Sequence, residues 1–144
     1  MSSEQPEEQG EQRKRVRCVA LIDDNPADNY LHRLVAERSG LVEQVVDFVD
    51  PRDALEALVG NQLPDNTLVL LDIRMPHLDG FEFLEEFELR GRHRSDVVVM
   101  MLSTSLLPED QERARSFGAV EGFLQKPLTA KIFRDIVDTH YPLD

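Results

Sequence analysis

From Val16 onward, short and nearly continuous apolar runs alternate with longer stretches whose apolar residues recur every three or four positions. The runs have the length of strands and the stretches the length of helices. Residues 16–22 are apolar apart from Arg17 and predict a first strand. Asn25 and Pro26 then offer an N-cap and a first helical residue: the Asn oxygen can accept from free N–H groups, and proline's missing N–H is no loss there. Ala27, Leu31, Leu34 and Val35 share the predicted inner face, and Gly40 can end the helix. Residues 45–49 predict a second strand, and Asp50 caps a helix that starts at Pro51 and turns Ala54, Leu55 and Leu58 inward. A third strand, 68–71, stops at Asp72. Phe81, Leu84 and Glu88 mark a third helix, and 97–102 form a very apolar fourth strand. Pro108, Glu109 and Asp110 open a fourth helix with a thin apolar face, mainly Ala114 and Phe117. Residues 122–125 lie in a fifth strand. Thr129 caps the last helix, whose inner face is Ile132, Phe133, Ile136 and Val137, with Leu128 and Phe133 placed as a hydrophobic staple.

Strands alternating with helices at this spacing imply right-handed crossovers and a parallel sheet covered on both faces. The fold class expected is therefore α/β, doubly wound, in three layers. Such sheets bind ligands at the carboxyl ends of their strands, beside the switch point.

Length and charge narrow the picture. The 144 residues fit one domain. Residues 1–14 are expected to be a disordered acidic tail, because their Glu- and Gln-rich start has almost nothing to bury, and 15–144 a single folded unit. The 28 acidic residues outnumber the 16 Lys and Arg, for a net charge of −12. That excess argues against nucleic-acid binding, which depends on cationic side chains neutralising phosphates. No apolar run has the length of a membrane span and the start is no secretory signal, so the expected location is the cytoplasm. Arg13, Lys14, Arg15 and Arg17 are read as a solvated strand entrance, Cys18 as a small core residue, and the four scattered histidines as structural or solvent-facing.

The chemistry lies at the strand ends. The first strand ends in Asp23 and Asp24, the third in Asp72, the fourth in Ser103, Thr104 and Ser105, and the fifth in Lys126 and Pro127. In a parallel sheet these ends share one edge. Any one of these residues alone is an ordinary polar strand end, but three carboxylates placed together repel, and such a cluster calls for a cation. Oxygen donors without His or Cys favour Mg²⁺ or Mn²⁺ over zinc. Carboxylates, a hydroxyl and an ammonium around such an ion suit phosphoryl transfer, where positioning and charge neutralisation do most of the catalysis.

The segments LIDDNPAD, LLDIRMPHLDG, MLSTS and FLQKP resemble the motif set of bacterial two-component response-regulator receiver domains, in the right order, over about 16–140. The resemblance implies a flavodoxin-like (βα)5 fold with strand order 2-1-3-4-5. It implies that Asp72 is the phosphoacceptor and that Asp24, Asp72 and the backbone carbonyl of Arg74 hold Mg²⁺, with Mn²⁺ as a substitute. By the same resemblance Asp23 would act mainly through an intervening water. Lys126 would contact Asp72 or the phosphoryl oxygens, Ser103 would hydrogen-bond the phosphoryl group, and the Phe123 rotamer would follow Ser103. A cis bond would join Lys126 to Pro127, and Asp79 and Gly80 would close the site loop. The implied partners are a sensor histidine kinase or a histidine phosphotransfer protein, a downstream protein, and a second copy through the fourth helix, fifth strand and fifth helix. The opening DDNPAD and the STS stretch resemble single-domain regulators that serve phytochrome-like kinases. On this reading no output domain follows, and the chain catalyses only its own phosphorylation and dephosphorylation. A haloacid-dehalogenase-type enzyme would need a second Asp two positions after Asp72, where Arg74 stands. A degenerate receiver used only for binding would not need the complete acidic set, hydroxyl and lysine.

Overall fold

The computed structural model describes residues 14–91, 93–105 and 107–143. Apart from Lys14, the expected acidic tail lies outside the described residues. The elements run β1 (Val19–Ile22), α1 (Pro26–Arg38), β2 (Val45–Phe48), α2 (Pro51–Val59), β3 (Leu68–Asp72), α3 (Gly80–Arg90), β4 (Val98–Ser103), α4 (Pro108–Arg115), β5 (Val120–Gln125) and α5 (Ala130–His140). The sheet order is β2-β1-β3-β4-β5 and every pairing is parallel.

The continuous apolar runs follow from this topology, since central strands are covered on both faces. Alternate side chains serve two cores. Ala20, Ile22, Val69, Leu71, Val99 and Met101 face α2 and α3, with Ala114 and Phe117 closing that side. Val19, Leu21, Leu68, Leu70, Met100 and Leu102 face α1 and α5 through Ala36, Phe133, Ile136 and Val137.

Local signals start the helices. Asn25 accepts from the N–H of Ala27 at 2.9 Å, Asp50 from that of Arg52 at 2.9 Å, and Thr129 from that of Ile132 at 3.2 Å. Asp79 and Glu82 form a reciprocal capping box at α3. Leu128 and Phe133 are both buried beside the Thr129 cap. The fourth helix is the exception: its N-cap, Leu107, makes no side-chain cap bond.

Two expectations need correction. The inner face of α1 is Asn29, His32 and Ala36, while Ala27 is exposed and Leu31 is 52% exposed. The helix turns polar atoms inward because backbone groups there need partners. Asn29 Nδ2 donates to the carbonyls of Asp23 (3.0 Å) and Phe48 (3.3 Å), and His32 Nε2 accepts the Leu128 N–H at 3.5 Å. The fifth strand, Val120–Gln125, contains the expected 122–125 and has a register shift opposite Val99 and Met100. Val16 makes only an isolated bridge to Val42, so β1 proper begins at Val19.

At the opposite end of the sheet from the acidic residues, the buried Arg94 donates to the carbonyls of Leu58 (3.3 Å), Leu63 (3.4 Å) and Pro64 (2.8 Å), and pairs with Asp96 at 3.4 Å. Asp96 in turn accepts the Asn66 N–H. Truncating Arg94→Ala removes the side-chain donor from the Leu63 carbonyl and one donor each from those of Leu58 and Pro64, which keep the Asn61 N–H and the Thr67 hydroxyl, and takes the guanidinium from Asp96; we expect a loss of about 2 kcal/mol in urea denaturation. A loss below about 1 kcal/mol would place Arg94 among ordinary surface pairs. Among the described residues, no helix is long and apolar enough to cross a membrane.

Candidate functional site

Strand register assembles the site. Ile22 of β1 lies beside Leu71 of β3, so the next residues, Asp23 and Asp72, emerge side by side. Ser103 of β4 lies beside Gln125 of β5, which sets Lys126 one step beyond, and the Lys126 N–H donates to the Ser103 carbonyl at 2.7 Å. Asp23 (3% exposed) and Asp72 (7%) are buried, while Asp24 is exposed. One carboxylate oxygen from each of the three lies within 4.8 Å of the others. Asp23 is steadied by the Asn25 N–H, 2.9 Å from its Oδ1.

Lys126 Nζ reaches into this group. It lies 2.7 Å from Asp23 Oδ2, 2.9 Å from Asp28 Oδ2 and 3.1 Å from Asp72 Oδ1. Burial first, then the charge of Asp23, pushes the Asp72 carboxyl up to about 6 against the downward pull of Lys126. Burial pulls the Lys126 ammonium down, but hydrogen bonds to Asp23 and Asp28 and the charge of Asp72 outweigh it and hold it above the usual lysine range. The Lys126–Pro127 peptide is cis.

The β3–α3 loop folds back tightly on Asp72. The Gly80 N–H donates to the Ile73 carbonyl at 2.8 Å. A Cβ on Gly80 would sit 2.6 Å from the Asp72 carbonyl oxygen, so only glycine allows the approach. Ser103 is buried, and its hydroxyl accepts the Ser105 N–H at 3.1 Å. Phe123 sits deeper, in register with Met101, half-buried beside a cavity of about 270 Å³ that Gln111 and Ala114 also line. Arg74, two residues past Asp72, extends its side chain to α4, where Nη2 meets Asp110 Oδ2 at 2.9 Å.

Asp23, Asp24, Asp72 and Lys126 thus meet at one point, with Ser103 on the same edge and Phe123 farther down the sheet. Two participants escaped the sequence reading, Asp28 and Asp110. Asp28 was signalled by its place in the first turn after the Asn25 cap, close to the acidic edge. Asp110 had no signal beyond its charge. All donors in the acidic cluster are hard oxygens, and the Asp72 carboxyl is raised chiefly by burial and then by the charge of Asp23, a repulsion that a divalent cation would relieve. The residues fit Mg²⁺ or Mn²⁺.

Residues 19–138 match the family described as "Response regulator receiver domain". The chain belongs to that family and is a response regulator receiver of the two-component type. It is 34% identical over 126 residues to the "Probable methanogenesis regulatory protein FilR2" of Methanothrix harundinacea (strain 6Ac), spanning 84% of this chain and 77% of that one. Two other curated relatives are much longer, and the chain spans 26% and 29% of their lengths. Among solved structures, a two component response regulator from Cytophaga hutchinsonii superposes with a TM-score of 0.79 at 28% identity, covering 89% of this chain and 98% of that one. The bacteriophytochrome response regulator RtBRR gives 0.70 at 26% identity, covering 87% and 78%. The flavodoxin-like receiver fold is common to these structures.

Proposed function

We propose that Asp72 accepts a phosphoryl group from a phosphohistidine on a sensor histidine kinase or a histidine phosphotransfer protein. The observation that carries this reading is the buried Asp72 carboxylate, with the Lys126 ammonium at 3.1 Å and two further carboxylates within 4.8 Å. An Asp72 oxygen attacks phosphorus, the phosphorus–nitrogen bond breaks, and the histidine nitrogen keeps the electron pair and takes up a proton. Asp72 becomes an acyl phosphate. Asp23, Asp24, Asp72 and the Arg74 carbonyl would hold Mg²⁺, or Mn²⁺, which when bound supplies neutralisation of the charge carried by the phosphoryl oxygens.

Lys126 balances charge from the other side, already aimed at Asp72 by its bonds to Asp23 and Asp28. Ser103 exchanges its bond with the Ser105 N–H for one to a phosphoryl oxygen, donating its hydroxyl hydrogen, and Phe123 turns inward to follow. Output passes through the surface of α4, β5 and α5, to a downstream protein or to a second copy. The folded unit of this reading spans 15–144 and works in the cytoplasm. Its likeness to RtBRR supports a kinase of the phytochrome type.

Incubation with acetyl phosphate and Mg²⁺, followed by intact mass and peptide mapping, tests the acceptor; a phosphoryl group anywhere but Asp72 contradicts it. The cation has its own signature. Mg²⁺ should raise the melting temperature at neutral pH, by about 1.4 kcal/mol of stabilisation at tenfold excess over Kd. Asp24→Ala should abolish that shift and raise metal-free stability, since one repelling charge is gone. Equal Mg²⁺ shifts in wild type and variant would remove Asp24 from the cation site.

A further inference from the structure

Lys126 has three ammonium hydrogens and three carboxylate neighbours. Two of the neighbours, Asp23 and Asp72, belong to the acidic cluster that would take a cation. The third, Asp28, lies outside that cluster and reaches Nζ from α1 at 2.9 Å. Its backbone is fixed by the helix start: Asn25 is the N-cap, Pro26 opens the helix, and the Asp28 N–H donates to Asn25 Oδ1 at 3.4 Å. The Lys126 side chain is 10% exposed and that of Asp28 30%, so the pair closes the site on its α1 side.

We propose that Asp28 is a positioning residue for Lys126: it holds the ammonium from α1, outside the acidic cluster that would take the cation. The proposal rests on Asp72 being the phosphoacceptor. With Asp23 engaged by a cation and Asp72 by the phosphoryl group, Asp28 would still be free to hold Lys126. A lysine on four rotatable bonds with no such tether spreads over many rotamers, and the transfer step loses a pre-aimed charge. Asp28 touches no reacting atom, so its effect reaches the reaction only through Lys126. The plain alternative is an acidic residue stabilising a helix N-terminus, which would change stability and leave Lys126 and the transfer rate alone.

Two measurements on the full chain separate these. The first is phosphoryl uptake from phosphoramidate across a Mg²⁺ titration. Asp28→Ala should lower the rate at saturating Mg²⁺ about tenfold, with a smaller change in the half-saturating concentration. Asp28→Asn, which keeps an acceptor oxygen, should recover much of the rate. The second needs neither metal nor phosphate. The chain has three lysines, Lys14, Lys126 and Lys131, so ¹⁵N-lysine labelling isolates the Lys126 ammonium in an NMR spectrum. Its hydrogens should exchange slowly with water in the wild type and about tenfold faster in Asp28→Ala. An ammonium signal unchanged in Asp28→Ala overturns the anchor. A faster exchange with an unchanged saturated rate overturns its part in transfer. A wild type that shows the slow ammonium but never gains mass sinks the assignment of Asp72 instead.

Discussion

Asp72→Asn is expected to abolish phosphoryl uptake while making the metal-free protein more stable at neutral pH. The amide is nearly isosteric with the carboxylate, so the packing around Asp72 survives, but it is no nucleophile toward phosphorus and a poor cation ligand. The gain in stability follows from burial. The carboxyl is pushed up to about 6 in the folded chain, from an ordinary 3.8, chiefly by burial and then by Asp23. Below about pH 4 the group is protonated in folded and unfolded chains alike and costs nothing. As pH rises from about 4 to about 6, the unfolded chain releases its proton first and stability falls. Above about 6 the full penalty stands, on the order of 2–3 kcal/mol. The side chain is only 9% exposed, so solvent screens little of it. In urea denaturation with chelator present, the variant's advantage over wild type should therefore appear between pH 4 and 6 and level off above. A difference that does not vary with pH would mean that its surroundings do not raise the Asp72 carboxyl, and phosphorylation of the variant at full yield would place the acceptor elsewhere.

The architecture was legible because central parallel strands announce themselves as unbroken apolar runs, and because Asn25, Asp50 and Thr129 each stand where a helix needs a cap. The acidic edge was legible for a related reason. Each of its residues directly follows a strand, so the sheet that aligns the strands aligns the chemistry. What stayed hidden depends on contacts that no periodicity encodes. Asn29 and His32 lie on a helix whose apolar spacing pointed to another inner face, yet they are buried, because carbonyls at Asp23 and Phe48 and the Leu128 N–H need partners there. Arg94, which nothing in the apolar pattern marks, is a buried clamp. Asp28 meets Lys126 across 98 residues of sequence, and Arg74 meets Asp110 across 36. Pairs of this kind are set by tertiary geometry alone.

The Arg74–Asp110 pair bears on the last expectation, that charge arriving at Asp72 loosens α4. This helix has eight residues, no side-chain cap, and only Ala114 and Asp110 buried within it, with Phe117 just beyond. Polar and aromatic contacts do much of the holding. Asp110 is tied to Arg74 at the rim of the site, and Arg113 lies 4.5 Å over the Phe81 ring and 3.5 Å from Glu85. Elements with so little apolar anchorage open at low free energy. A phosphoryl group on Asp72 turns a singly charged carboxylate into an acyl phosphate with up to two negative charges and adds three acceptor oxygens. It draws the Ser103 hydroxyl away from the Ser105 N–H and competes with Asp110 for the Arg74 guanidinium, two residues along the same loop. With a beryllium fluoride mimic bound, hydrogen exchange in residues 107–125 should quicken about tenfold while α2 is unchanged. Ser103→Ala should still gain a phosphoryl group on Asp72 but show a much smaller change in that segment. The wild-type acyl phosphate should also self-associate more than the free form, through the surface that α4 shares with β5 and α5. Changes confined to residues 73–79 would show that the site does not speak to α4 at all, and equal responses in wild type and Ser103→Ala would move the relay from Ser103 to the Arg74–Asp110 pair.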